Sequence, residues 1–364
     1  MVVKNRNIGL DVFRIVLALM VIILHINAGG TGMVLKYATD SPWKYIVSFM
    51  TTLCFPAVNC YVIMSAYYMS KQEKDIFAVV KALAKLWLSV AFFALAGYLS
   101  VCVIKGEFNA IELVKRFFSV SRGSWWYITV YFVLVLLSPF LNIVIRNINK
   151  KDYKILLTVL LIVCSVVPMF LKWQGQIGSN YGYSIIWFIT LYFTGAYLRY
   201  YKYDNVVLNN RIFIKCIALY LLVSAISACI GPISSKLGYL IDLGPYNSIA
   251  TYTQAILLFV AFLHMNIKSV LGKPISFIAG LSLASYLLHC QEDVESVLWS
   301  FTKPYEYANS SKVIIVWLVM TAGIYIVAVV LEFLRKKIVC VTGFEKWFSE
   351  LVTKLAKKVT KYNE

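Results

Sequence analysis

The chain has 364 residues, of which 60% are hydrophobic and only 14% charged, and its formal net charge is +18. A soluble domain sits nearer roughly 45–50% apolar and 25% charged, so this composition excludes an ordinary soluble fold. With no soluble domain to carry a basic face, the positive charge argues for loops on the cytosolic side of a membrane and against nucleic acid.

The apolar residues fall in blocks close to the ~20 residues that cross a bilayer. Ten spans are expected: 10–28, 45–68, 76–103, 126–145, 155–171, 183–201, 212–230, 246–265, 275–290 and 313–334. Backbone groups find no partner in lipid outside a helix or a closed barrel. The expected fold class is therefore an all-α integral membrane protein, a bundle of about ten transmembrane helices.

The first span, "GLDVFRIVLALMVIILH" (9–25), carries Asp11, Arg14 and His25. Lys4 and Arg6, the apolar run and "NAGG" imitate a signal peptide, but Arg14 would break its core, so the span is expected to be retained. Arg14 and His25 are eleven positions apart, three turns plus about 20°, which puts them on one face about 16 Å apart. Asp11 lies one turn before Arg14 and can reach its guanidinium. An arginine within a span costs roughly 2.5–3.5 kcal/mol and faces protein or water by default. From the helix alone two readings stand: a functional pair, or an arginine that snorkels and a histidine satisfied near the other interface.

Turn-like stretches such as "AGGTG" after the first span and "GPISSKLG" after the seventh punctuate short connections. The segment 104–124, with Lys105, Lys115, Arg116 and Arg122, reads as a solvated basic loop, and Trp125 and Trp126 as an interfacial aromatic belt. The acidic "QEDVE" (291–295) reads as a solvated loop, and His264 as interfacial. The eight cysteines include no C-x-x-C pair; they read as small buried hydrophobes, and no metal is expected. The last residues, "FEKWFSELVTKLAKKVTKY", place Phe344, Trp347, Phe348, Leu351, Val352, Leu355 and Val359 on one face and lysines off it, an amphipathic helix suited to a membrane surface. Two units are expected, a transmembrane domain over 1–338 and this basic tail over 339–364. If the N-terminus is cytosolic, 25 of the 35 Lys and Arg residues fall on the inner side, which would put both termini in the cytosol.

The arginine, ten residues, then histidine of the first helix, preceded by "LD", resembles the signature of the membrane-bound acyltransferase-3 family. "LSLASYLLH" (281–289) resembles that family's Ser-x-x-x-Tyr-Leu-x-His segment. "FPAVNCYVIMSAYYMS" (55–70), with Ala66 where a glycine usually follows the serine, "SWWYITVYFVLVLLSP" (124–139) and "LYFTGAYL" (191–198) resemble weaker segments in family order. The resemblance covers about residues 8–335. One departure is notable: at the start of the third span "VVKALAKLW" offers Lys81 and Lys85 where the family has an arginine pair, and a lysine holds phosphate without the bidentate fork.

The resemblance implies an O-acyltransferase, in most cases an O-acetyltransferase, in the cytoplasmic membrane of a bacterium. The donor would be a cytosolic acyl-CoA, acetyl-CoA by resemblance, and the acceptor a hydroxyl of a surface or exported polysaccharide. His25 would act as general base or transient acyl carrier, with Arg14 and Asp11 completing the catalytic set at the other end of the same helix. Lys81, Lys85 and Ser65 would face the donor, and His289, Asn59, Trp126, Tyr127 and Tyr286 would line the cavity; Asn59, Ser65 and Tyr127 are candidate oxyanion donors. Membrane lipids and polysaccharide-assembly proteins are the expected partners. A carrier of a lipid-linked sugar or small solute is the rival class, since carriers also bury lone charges.

Overall fold

The structure is a computed structural model in which residues 6–28, 31–40, 42–171, 174–236 and 243–361 are described. Gly29 and Gly30 of the "AGGTG" turn, Lys4 and the end of "GPISSKLG" lie outside these residues. All regular structure among the described residues is helical. Eight helices are long and apolar enough to cross a membrane, among them Ile8–Asn27, Ile76–Lys105, Trp126–Asn147 and Lys312–Thr342. Two further segments of the expected ten are helical but shorter, Ile185–Tyr197 and Ile249–His264. Many large apolar side chains stay exposed, such as Leu318, Val319 and Ile326 on one long helix. That outer surface, over a core of Phe13, Leu17, Trp187, Phe188 and Phe259, is the pattern of a multi-pass membrane protein.

Local chemistry explains where helices begin and bend. Asn7 caps the first helix by accepting from Leu10 N, and Asp75 caps Ile76–Lys105 by accepting from Ala78 N; such caps contribute about 1 kcal/mol each. Pro56 breaks the span Trp43–Met69 into two helices. Pro139 lies inside Trp126–Asn147, where its missing N–H would orphan the Val135 carbonyl, and the Ser138 hydroxyl donates to that oxygen at 2.7 Å. Pro168 sets the same problem for Cys164, whose carbonyl accepts from Asn247 Nδ2 at 2.7 Å. The ninth expected span is discontinuous too, with Gly272–Ala279 and Leu283–His289 joined by a turn at Gly280–Ser282. Irregular backbone at membrane depth is tolerated where it lines a cavity.

Alternate connections gather at opposite ends of the bundle. One end holds Asn7 on the Leu263 carbonyl, Lys71 with Asp204, and Arg146 with Glu73. The other holds Asn309 on the Tyr37 carbonyl and Arg116 with Asp293. The segments expected as loops at this second end are partly helical. Ala110–Phe117 and Glu292–Thr302 are helices, and Arg116 joins them through Glu292 and, at 3.0 Å, Asp293. Arg116 is thus nearly buried instead of solvated, because two carboxylates at the start of the facing helix neutralise it.

The long last span continues to Thr342 and turns at Gly343, at positive φ, into the helix Phe344–Lys361. Two further expectations change. Only Cys54, Cys60 and Cys164 are buried, whereas Cys229 and Cys340 are exposed. His264 is buried, with Nδ1 donating to the Val260 carbonyl at 2.8 Å and its ring edge-on to Tyr203.

Candidate active site

The first helix runs along the inside of the bundle and touches both halves of the discontinuous helix, which share its cavity. That cavity has a volume of about 320 Å³ and is walled by Arg14, Ala18, Val21 and His25 from one stripe of the first helix. Ser65, Trp126, Tyr127, Ser285 and Tyr286 face it from other helices. The shared face read from the eleven-residue spacing is therefore real: the guanidinium and the imidazole open into one void.

At the Arg14 end the void meets a larger vestibule of about 1320 Å³, and the two share Arg14, Ser65 and Tyr131 as walls. The vestibule also presents Arg6, Lys71 and Arg199 with Tyr67 and Tyr68. Asp11 is held mainly by Arg6, through Nε at 2.5 Å and Nη2 at 2.8 Å, and by the Ser276 hydroxyl at 2.6 Å. Its contact with Arg14 is a longer 3.4 Å. Arg14 thus keeps most of its donors for the void, and its guanidinium lies 5.9 Å from the Tyr68 ring centroid. Outside the spans, the hydrogen bond to Asp11 raises the pKa of Arg6.

At the opposite end His25 Nδ1 lies 2.8 Å from His289 Nε2 and 3.2 Å from Cys290 Sγ. His289 Nδ1 contacts the Ser285 carbonyl, which can only accept, so this nitrogen carries the proton. With both imidazoles neutral, His289 Nε2 then holds a lone pair and His25 Nδ1–H donates to it. The consequence is that His25 Nε2 has a free lone pair. The chain after the helix folds back on the His25 carbonyl, which accepts from Gly32 N at 2.9 Å and from the Thr31 hydroxyl. A Cβ at Gly32 would stand 2.3 Å from the Ile26 carbonyl oxygen, so only glycine allows this return.

The other expected residues divide. Trp126 is not a lipid-facing belt residue: it packs on Tyr183 and Tyr246 and faces the cavity. Tyr127 stacks on Tyr131 and stands edge-on to Tyr286, and Ser65 accepts from the Tyr131 hydroxyl at 3.1 Å. Asn59 is fully buried away from the void; its Nδ2 donates to the Tyr246 carbonyl and its Oδ1 accepts from Trp187 Nε1. It is not among the residues that wall the void, so it does not face an oxyanion there. Lys81 and Lys85 line neither cavity and instead pair with Glu350 and Glu345 of the tail helix at 3.7 and 3.4 Å. Sequence reading missed Arg6, Lys71, Tyr131, Arg199 and Cys290. In the sequence the basic ones add only to the positive charge of one side, and nothing local in "LYFTGAYLRYYK" separates Arg199 from such a charge.

The family model for the acyltransferase domain of acyltransferase-3 proteins matches residues 7–333. The chain belongs to the acyltransferase-3 family. It is accordingly a membrane enzyme that transfers acyl groups, which decides against the carrier. Searches among curated proteins and among solved structures found no match. Within this acyltransferase, the matched stretch includes every residue named above as walling the void or the vestibule except Arg6.

Proposed function

We propose that this acyltransferase moves an acyl group, most simply acetyl, from a cytosolic acyl-CoA to a hydroxyl of a surface or exported polysaccharide, with His25 as the general base. One observation carries the reading: Arg14 and His25 wall a single void, and Arg14, Ser65 and Tyr131 also wall a basic vestibule beside it.

A coenzyme A donor carries several phosphate charges that lipid rejects, while its pantetheine arm is long and thin. Arg6, Arg14, Lys71 and Arg199 offer charge-assisted hydrogen bonds at the vestibule, and Tyr67 and Tyr68 offer ring faces to a base. This set supports a donor grip at the Arg14 end better than Lys81 and Lys85, which line neither cavity. The narrower void then takes the arm and delivers the thioester near His25.

An alcohol is a weak nucleophile until its proton has somewhere to go. The free lone pair on His25 Nε2 supplies the acceptor, and the hydrogen bond from Nδ1 to His289 fixes the tautomer that leaves it there. As the proton arrives, the positive charge spreads toward His289 and the Ser285 carbonyl. Tyr127 and Tyr286 remain as hydroxyl donors for the developing oxyanion, with Asn59 and Ser65 set aside. Trp126, Tyr183 and Tyr246 form an aromatic wall suited to a sugar face. With the donor grip cytosolic, both termini lie in the cytosol, consistent with the excess of basic residues on that side. The test is mass analysis of cell-surface polysaccharides from cells carrying the wild type or His25→Ala. The reading expects O-acyl groups to disappear in the variant, and equal O-acyl content in both would end it.

A further inference from the structure

Beside the void, three side chains from two distant segments converge, and the thiol among them has no part in the proposed acyl transfer. His25 Nδ1, His289 Nε2 and Cys290 Sγ all lie within 4.8 Å of one another, with His25 Nδ1 2.8 Å from His289 and 3.2 Å from Cys290. Two imidazoles and a thiol are a donor set for zinc and other thiophilic divalent ions.

His289 is already arranged as a ligand. Its Nδ1–H is committed to the Ser285 carbonyl, which turns the Nε2 lone pair toward the other two groups. A backbone carbonyl behind the far nitrogen is the usual support of a metal-binding histidine. The present spacing is tighter than a metal needs. Bonds of about 2.0–2.3 Å in tetrahedral array put ligand atoms about 3.4 Å or slightly more apart. His25 and His289 would therefore part by roughly half an ångström on loading, while the Cys290 contact is already near that value. Cys290 is partly exposed and ends the discontinuous helix.

We infer that His25, His289 and Cys290 form a binding site for a thiophilic divalent metal ion, and that loading it silences the acyltransferase. Binding places the metal on the Nδ1 lone pair of His25. The proton that sat on Nδ1 moves to Nε2, the thiol releases its proton to water, and the ion gains one sulfur and two nitrogen bonds. With Nε2 protonated, His25 can no longer accept a proton from an alcohol. The silencing rests on the role proposed for His25; the binding does not.

Titration of the purified full chain with cadmium chloride, read by sulfur-to-cadmium charge-transfer absorption, tests the binding. The same titration on Cys290→Ser and on His289→Ala, each checked for an unchanged thermal transition, removes the contribution of the other cysteines. The site requires the strongest absorption component to vanish in Cys290→Ser and its half-saturation to rise at least tenfold in His289→Ala. Absorption identical in wild type and Cys290→Ser overturns the site. Zinc chloride is then added to the acyl-transfer assay, each protein being compared with its own metal-free rate. Wild type should lose at least tenfold at a zinc level that leaves Cys290→Ser within twofold. Cadmium binding at the trio without loss of rate overturns the silencing and speaks against His25 as base.

Discussion

At the scale of single residues, the account turns on which nitrogen of His25 carries a proton. His289 orients that ring and would not touch substrate. Replacing it by alanine is expected to lower kcat by roughly 10²-fold, within the range for a misplaced general base, with little change in donor KM. An equal rise in KM would instead point to a collapsed cavity. For the donor, Arg199→Ala is expected to raise KM roughly tenfold, as loss of a charge-assisted bond to phosphate should. Lys81→Ala should change it by no more than about twofold, since an exposed ion pair contributes little. Steady-state kinetics over a range of acyl-CoA checks both. Arg14 and His25 were legible in the sequence because helical geometry alone decides that positions eleven apart share a face. Their bonding was not. Arg6 takes Asp11 away from Arg14, and Cys290 reaches His25 only because the discontinuous helix brings residue 290 beside residue 25. Spacing of cysteines along the chain therefore spoke against a metal that the fold makes chemically plausible.

At the scale of elements, the breaks in the helices are satisfied and specific. Ser138→Ala removes the hydroxyl that meets the Val135 carbonyl freed by Pro139. It should destabilise the protein by about 1–3 kcal/mol, the cost of an unmet buried polar group, seen as a lower melting temperature in detergent. Gly195 lies where the helices Ala57–Met69 and Ile185–Tyr197 touch, and a Cβ there would stand 2.4 Å from the Ile63 carbonyl. Gly195→Val should cost about 1–3 kcal/mol or more through overpacking; an unchanged melting temperature would show that the two helices are further apart than described. The apolar pattern located every long helix, since hydropathy and length are one-dimensional properties. It could not show that the "QEDVE" stretch begins a helix, because its partner Arg116 is far away in sequence. Nor could it show that the tail packs along Ile76–Lys105 through Lys81–Glu350 and Lys85–Glu345. The tail still leaves Phe344, Trp347, Leu355 and Val359 exposed in the row expected for a lipid surface.

At the scale of the whole molecule, a membrane-embedded bundle keeps an internal void with Arg14 and His25 in its wall by placing both on the inner stripe of its first helix, opposite a broken helix. The membrane class, the all-helical fold and the family were readable before any coordinates, from composition and from the first and ninth spans. The void itself required the helices to be assembled, because its walls come from at least five separate segments. The most direct test uses purified protein with acetyl-CoA and a polysaccharide acceptor, following release of free coenzyme A together with acetyl appearing on the acceptor. The account predicts stoichiometric transfer by the wild type, a fall of about 10²-fold or more for His25→Ala, and a raised donor KM for Arg14→Ala. Transfer by His25→Ala at the wild-type rate would contradict it.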